Sequence, residues 1–459
     1  MQTKMTHFAQ RRESLTETGS LSKPLKPLLQ ESWTQNAKKA GGFIVYVALA
    51  LAIVSAIFQA VPKYYYNSVM ILGTPMYTIL ACAVLGLGIW NTLRLLFYRD
   101  KMVAVLSGTI AWAILLSIWF ALRTPPNYQN IQFDILTLGS IPVGYAIVRQ
   151  LSLSRVSMFL SLLWLTMTIE LIASLLLLKA GIINAAIEGD REFDISMFFS
   201  AFLAAWLLPI VVGNLVGKRK HLWAVASIFL TLGTQMAFSD MSATRNVLIT
   251  FVTSIVFAIY LVLRHTSATK TVLAVLIIGP ILIAIVKYAD NADVSWLRMI
   301  KVRDRVSYDG FMSVDRLEEA KLMFEQLNLS LLFGRGLGGS FYSNVVTTTS
   351  PDGLATALHI GILTPLLKAG ILGLFVLFIY PFFFCTKGIL SKKTSLMQKG
   401  ICASILVFLL QATISGGYHY SNLIVVGIVL GALAIAREAD KSNSDESTIQ
   451  KNSMVSNRL

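Results

Sequence analysis

Charge is scarce in this sequence. Asp, Glu, Lys and Arg make up 14% of its 459 residues, against roughly 25% in soluble domains. A chain so poor in charge cannot cover a large surface facing water, which excludes a soluble multidomain enzyme and a disordered protein. Cysteine is scarcer still. Cys82, Cys385 and Cys402 lie in or beside apolar runs, without zinc-ligand spacing, which excludes a disulfide scaffold and a zinc module. Asp-x-Asp, His-Glu-x-x-His and Gly-x-Ser-x-Gly are all missing.

Hydrophobic residues are abundant, at 55%, with a mean hydropathy of +0.67. A spanning helix needs about 20 mainly apolar residues. Twelve segments qualify: 42–61, 69–93, 102–122, 131–148, 156–178, 196–216, 222–239, 246–263, 271–288, 370–386, 400–415 and 421–436. The predicted fold class is therefore an all-α polytopic membrane protein with about 12 transmembrane helices. It divides into a polar tail (1–41), helices 1–9 (42–288), a long loop (289–369), helices 10–12 (370–437) and a second tail (438–459). The first tail has no apolar stretch ending in a cleavage site, so no cleavable signal peptide is expected. Both tails read as disordered by composition.

The net charge of +15 would suggest nucleic acid as a partner for a soluble chain. Here most of the 39 Lys and Arg flank apolar runs, so anchoring and orientation explain them and no nucleic-acid partner is expected. With both termini cytoplasmic, Arg94, Arg99, Lys101, Arg149, Arg155, Lys218, Arg219, Lys220, Arg264 and Lys270 all fall inside. The short outer loops then hold few cations, as the positive-inside rule requires.

The outer segment 289–353 breaks the pattern by its length. Long loops translocate regardless of charge and are commonly functional. Within it Leu317, Ala320, Phe324, Leu327 and Leu331 repeat at helical spacing, with Asp315 and Glu318 resembling a capping pair. An amphipathic helix against the bundle follows; a plain packing element reads equally well, and Arg316 in its first turn tips the reading toward function. Next comes Gly334-Arg335-Gly336-Leu337-Gly338-Gly339-Ser340. Such a turn lets backbone N–H groups approach an anion, and its arginine adds a forked phosphate donor. A plain flexible turn reads equally well. No Lys-Ser/Thr follows, so it is not a nucleotide P-loop. The apolar stretch 354–368 contains Pro365 and ends in glycines; it reads as a short outer helix or a re-entrant piece. A single histidine is usually a structural hydrogen-bonder; beside a cationic loop, His359 is also a candidate general base or polar positioner.

Arg245 lies in the outer turn between the seventh and eighth spans, where pairing with Asp240 or anchoring at the interface is the alternative to function. Glu170, inside the fifth span, either lines a cavity or meets a buried partner. His419 occupies another outer turn. Glu188, Asp190, Glu192 and Asp194 alternate before the sixth span, a pattern that favours a solvated acidic loop over a cation site. No metal and no cofactor is expected.

Arg245, Arg316, Arg335 and His359 would thus collect at the outer membrane face. Several arginines beside a bilayer suit a lipid-linked pyrophosphate, whose charge on leaving they can neutralise without a metal.

Three pieces also resemble a known family, in order. They are Ser242-Ala243-Thr244-Arg245; Asp315-Arg316-Leu317 leading to Phe333-Gly334-Arg335-Gly336-Leu337-Gly338; and Leu358-His359-Ile360-Gly361 leading to Gly370-Ile371-Leu372-Gly373-Leu374. Together they resemble the O-antigen polymerase/ligase superfamily, the Wzy and WaaL proteins, over about 235–390. The resemblance implies a metal-independent, GT-C-like glycosyltransferase of the bacterial inner membrane, acting in the periplasm on an undecaprenyl-pyrophosphate-linked glycan donor and a glycan acceptor. By matching position, His359 and Arg245 would be catalytic. Arg245, Arg316, Arg335, Gly336, Gly338 and Lys368 would bind substrate or pyrophosphate. Many ligases carry His-Asn where this chain has His359-Ile360, and the Leu367-Lys368-Ala369-Gly370 run looks more like polysaccharide polymerases. A polymerase of O-antigen or exopolysaccharide repeats is the leading reading, with a chain-length regulator as an admissible partner. A ligase loading lipid A-core, in lipopolysaccharide assembly, and a precursor transporter are the alternatives.

Overall fold

A bilayer offers no partner to backbone N–H and C=O groups, so apolar runs of this length fold as helices. A computed structural model of the chain describes residues 70–71, 74–121, 128–149, 151–180, 186–188, 191–193, 195–242, 245–264, 314–328, 330–343, 354–355, 358, 360–414 and 420–456. The expected first and ninth spans, His359 and His419 lie outside the described residues. So does the first polar tail, 1–41.

The short hairpin β1 (Met70–Ile71) and β2 (Thr74–Pro75) precedes α1 (Met76–Phe97). Six apolar helices follow: α2 (Lys101–Ala121), α3 (Tyr128–Val148), α4 (Leu153–Lys179), α5 (Ile195–Gly217), α6 (His221–Ser242) and α7 (Arg245–Leu263). Between α4 and α5 the acidic segment forms an antiparallel hairpin, β3 (Ala186–Glu188) with β4 (Arg191–Phe193). Then come α8 (Val314–Leu327), α9 (Ser330–Phe333), β5 (Phe341–Tyr342) and β6 (Leu354–Ala355). The chain ends with α10 (Leu363–Leu374), a π-helical turn (Phe375–Ile379), α11 (Tyr380–Leu390), α12 (Leu396–Ile414) and α13 (Tyr420–Ser456).

Seven helices among the described residues are long and apolar enough to cross a membrane. This is an all-α membrane protein. Helix α5 packs against α4, α6, α7 and α12, while α3 packs along α13. Glycine permits the second contact. A Cβ on Gly427 would meet the Ile141 carbonyl oxygen, and one on Gly431 would lie 2.8 Å from that of Tyr145. Gly427 and Gly431 form a small-xxx-small pair, which lets backbones approach where lipid supplies no hydrophobic drive.

Several sequence expectations shift. The tenth span begins at Leu363, not 370, and runs to Leu390. Gly370 is a joint inside it, with φ +66 and ψ −154, where two helical pieces meet. The stripe on α8 is rotated: Ala320, Met323 and Leu327 are buried, whereas Leu317 and Phe324 are exposed. Met323 and Leu327 join a small core with Phe341, Ala355, Leu358, Leu366 and Leu367, so β5 and α10 select the face. Asp315 lies inside α8, whose first residue is Val314. The second tail is helical over 438–456, where α13 continues to Ser456. It contains no Gly or Pro to stop a helix, and its start is tied down by an Arg149–Glu438 ion pair and by Asp440, which accepts from the Ser395 N–H at 2.9 Å.

Candidate functional site

The glycine turn is wedged among the ends of three helices. Gly334, Gly336 and Gly338 take φ of +89, +81 and +74, a region that side chains with a Cβ disfavour. Close packing reinforces the requirement. A Cβ on Gly334 would lie 2.8 Å or nearer to backbone atoms of Lys368, Ala369 and Gly370, and one on Gly336 would meet the Ser117 backbone.

The turn's amides already have partners. The Arg335 N–H donates to the Leu367 carbonyl at 2.7 Å and the Gly336 N–H to that of Lys368 at 2.9 Å, tying the turn to α10. The Leu337 N–H reaches Ser117 Oγ at 2.5 Å and the Ala113 carbonyl at 3.3 Å, tying it to α2. The Gly338 N–H donates to Asp134 Oδ2 at 2.6 Å, tying it to α3. The Gly339 N–H folds back to the Gly336 carbonyl at 3.1 Å. The turn is therefore no open anion nest. Gly336 and Gly338 act here through packing and left-handed backbone, not through free N–H groups.

Lys368, expected beside the substrate, is also occupied. It is fully buried, and its Nζ lies 2.6 Å from Asp134 Oδ2 and 2.9 Å from the Gly339 carbonyl oxygen. Desolvating either charge alone is expensive in a membrane protein; together, with the Gly338 N–H and Gly339 carbonyl as further partners, they satisfy one another. Asp134 is the functional residue the sequence reading misses, although it is the one charged residue in the expected span 131–148. Ser117 and Gln326 carried no signal, being ordinary polar residues whose role is to meet a backbone from elsewhere in the chain.

Arg335, on the same turn, is half-buried. It donates from Nη1 to the Ser340 carbonyl at 2.6 Å and from Nη2 to the Gln326 carbonyl at 3.4 Å. A guanidinium has five N–H donors, so two aiming bonds leave capacity for an anion. Burial lowers its pKa from the ordinary arginine value, yet arginine keeps its proton in proteins. The Gln326 amide fixes the exit of the turn, donating to the Tyr342 carbonyl at 2.6 Å and accepting from the Tyr342 N–H at 2.7 Å. From α2, Trp112 Nε1 donates to the Phe333 carbonyl at 3.1 Å.

The other expected residues are placed in part. Arg245 is the first residue of α7 and Arg316 lies in the first turn of α8. His359 falls between Leu358 and Ile360, both buried, and the Leu358 N–H donates to Thr364 Oγ1 at 3.3 Å. Pairing of β6 with β5 brings the chain leading to His359 alongside the exit of the glycine turn. Glu170 is an inter-helix partner, accepting from Ser200 Oγ at 2.5 Å across α4 and α5.

The site has a defined end. Ser117 and Asp134 lie near the α2 C-terminus and α3 N-terminus, whereas Asp100 and Arg149 meet at 3.2 Å at the opposite ends of the same helices. The glycine turn and the cation-rich segments therefore occupy opposite ends of the α2–α3 pair. Among the described residues no three His, Cys, Asp or Glu side chains group as a metal site. No family model matches this chain, and no curated protein is similar to it.

Proposed function

We propose that this chain is a membrane glycosyltransferase that polymerises undecaprenyl-pyrophosphate-linked oligosaccharide repeats. The observation that carries the reading is Arg335, aimed by two carbonyls and held on a turn that the buried Asp134–Lys368 pair locks to three helices. A polyanion leaving group needs cations that are already in position when its charge develops. The opposite-end placement of Arg94, Arg99, Lys101 and Arg149 fits a periplasmic site under the positive-inside rule. The order of the arginine turn, glycine turn and histidine segment supports the polymerase/ligase resemblance. In this reading the chain has twelve spans in a GT-C-like arrangement, sits in a bacterial inner membrane, and keeps both termini in the cytoplasm.

The acceptor sugar hydroxyl attacks the anomeric carbon of the donor and transfers its proton to His359. The bond between that carbon and the pyrophosphate oxygen breaks, with inversion. Arg335, with Arg245 and Arg316, receives the negative charge on the departing undecaprenyl pyrophosphate. Gly336, Gly338 and Lys368 become positioning residues that hold Arg335.

A strain lacking the gene, complemented with variants, tests the reading. Loss of long chains with single repeats still transferred identifies a polymerase. Full-length polymer left on its lipid carrier identifies a ligase. Normal chain lengths with both Arg335→Ala and His359→Ala, at wild-type membrane levels, reject the site.

A further inference from the structure

A second site lies at the other end of the bundle. A cavity of about 480 Å³ opens among α2, the π-helical turn, α11 and α13. Met102, Val105, Phe375, Val376, Leu430 and Leu433 supply apolar wall, and no carboxylate lines it. Phe375 is 50% exposed and Tyr380 46%, so the wall is open to the bilayer. The π turn shapes this wall. In an α-helix, residues five apart diverge by about 140°. An i→i+5 winding brings them to one side. Phe375 and Tyr380 accordingly sit with ring centroids 6.5 Å apart and line the same cavity.

Two exposed cations, Lys101 and Arg437, complete the lining. The Arg437 guanidinium is steadied over the Phe384 ring, 5.2 Å from its centroid. The nearby carboxylates are engaged elsewhere. Asp100 meets Arg149 at 3.2 Å, accepts from the Tyr145 hydroxyl at 3.3 Å and caps α2 through the Met102 and Val103 N–H groups; Glu438 pairs with Arg149. Among the described residues, neither Lys101 nor Arg437 has a carboxylate partner. Apolar walls open to lipid, with unmatched cations where the helices end, are complementary to an amphiphile with a negative head.

We propose that this cavity binds an anionic phospholipid, with an acyl chain against Phe375, Val376 and Leu430 and the phosphate held by Lys101 and Arg437. The site is separate from the glycine turn and stands or falls independently of the transferase reading.

The full chain, purified in neutral detergent, is titrated with dioleoylphosphatidylglycerol or dioleoylphosphatidylcholine, and bound lipid is counted by native mass spectrometry. The wild type is expected to prefer phosphatidylglycerol by at least about tenfold. Lys101→Gln with Arg437→Gln lowers that affinity roughly 30-fold, as two cations near a membrane surface imply, and lowers phosphatidylcholine affinity by less, so that the preference between the two lipids is lost. Leu433→Trp, which fills the cavity, displaces both lipids. Equal affinity of the wild type for the two lipids overturns the proposal whatever the variants do. So does unaltered phosphatidylglycerol binding in the double Gln variant, and so does retention of neither lipid, which would indicate a segment of this chain as the occupant.

Discussion

Asp134 and Lys368, far apart in sequence and on different helices, meet at 2.6 Å with almost no solvent around either. Their contact encloses the Gly338 N–H and the Gly339 carbonyl. A buried ion pair thus holds the glycine turn, and the turn holds Arg335.

The pair should show strong coupling. Asp134→Asn leaves Lys368 buried and uncompensated, at a cost of about 3–5 kcal/mol. Asp134→Asn with Lys368→Gln removes both charges but keeps an acceptor for the Gly338 N–H and a donor for the Gly339 carbonyl. Thermal melts in detergent should find the double variant more stable than Asp134→Asn alone. Additive losses would show that the two residues do not depend on each other.

Arg335 should matter for transfer and little for folding. Arg335→Ala is expected to reduce chain elongation by about 100-fold, the scale of losing one preorganised donor to a developing anion. Arg335→Lys keeps the charge without the planar fork and should recover part of the activity. The measurement is chain-length distribution on gels, normalised to protein in the membrane.

Gly336→Ala forces a Cβ into left-handed backbone, at about 1–2 kcal/mol, and against the Ser117 backbone. It should lower both melting temperature and elongation. Gly108→Ala serves as the control, because open space surrounds Gly108 in α2. Helix propensity there predicts a gain of up to about 1 kcal/mol.

Gly427→Leu places a side chain against the Ile141 carbonyl on α3. Separation of α3 from α13 should destabilise the bundle and also loosen Asp134, which α3 carries. A lower melting temperature together with shorter chains is the expected result; lower stability with unchanged chains would uncouple the helix contact from the turn.

The candidate site was legible in the sequence only as a set of neighbours along the chain. Gly334, Gly336 and Gly338 announced an unusual backbone, and the φ values bear out that much. Their amides looked available because a sequence contains no information on what fills the space around a turn. Lys368 is assigned to substrate only by the resemblance of the Leu367–Gly370 run, and the sequence does not show its partner, Asp134, which belongs to a helix from the other half of the chain. The sequence leaves the buried face of α8 open because Phe324 and Met323 both fit a helical period, and packing against Phe341 and Leu367 decides between them.

Hydrophobic run length alone determined that this chain crosses a membrane as helices, since a backbone in lipid must satisfy itself within each segment. Flanking Lys and Arg determined the expected orientation, because charge resists crossing. Only the tertiary structure decided what the polar groups do. Hydrogen bonds and ion pairs act over about 3 Å, and the chain neighbours that a sequence lists are rarely the atoms found at that distance.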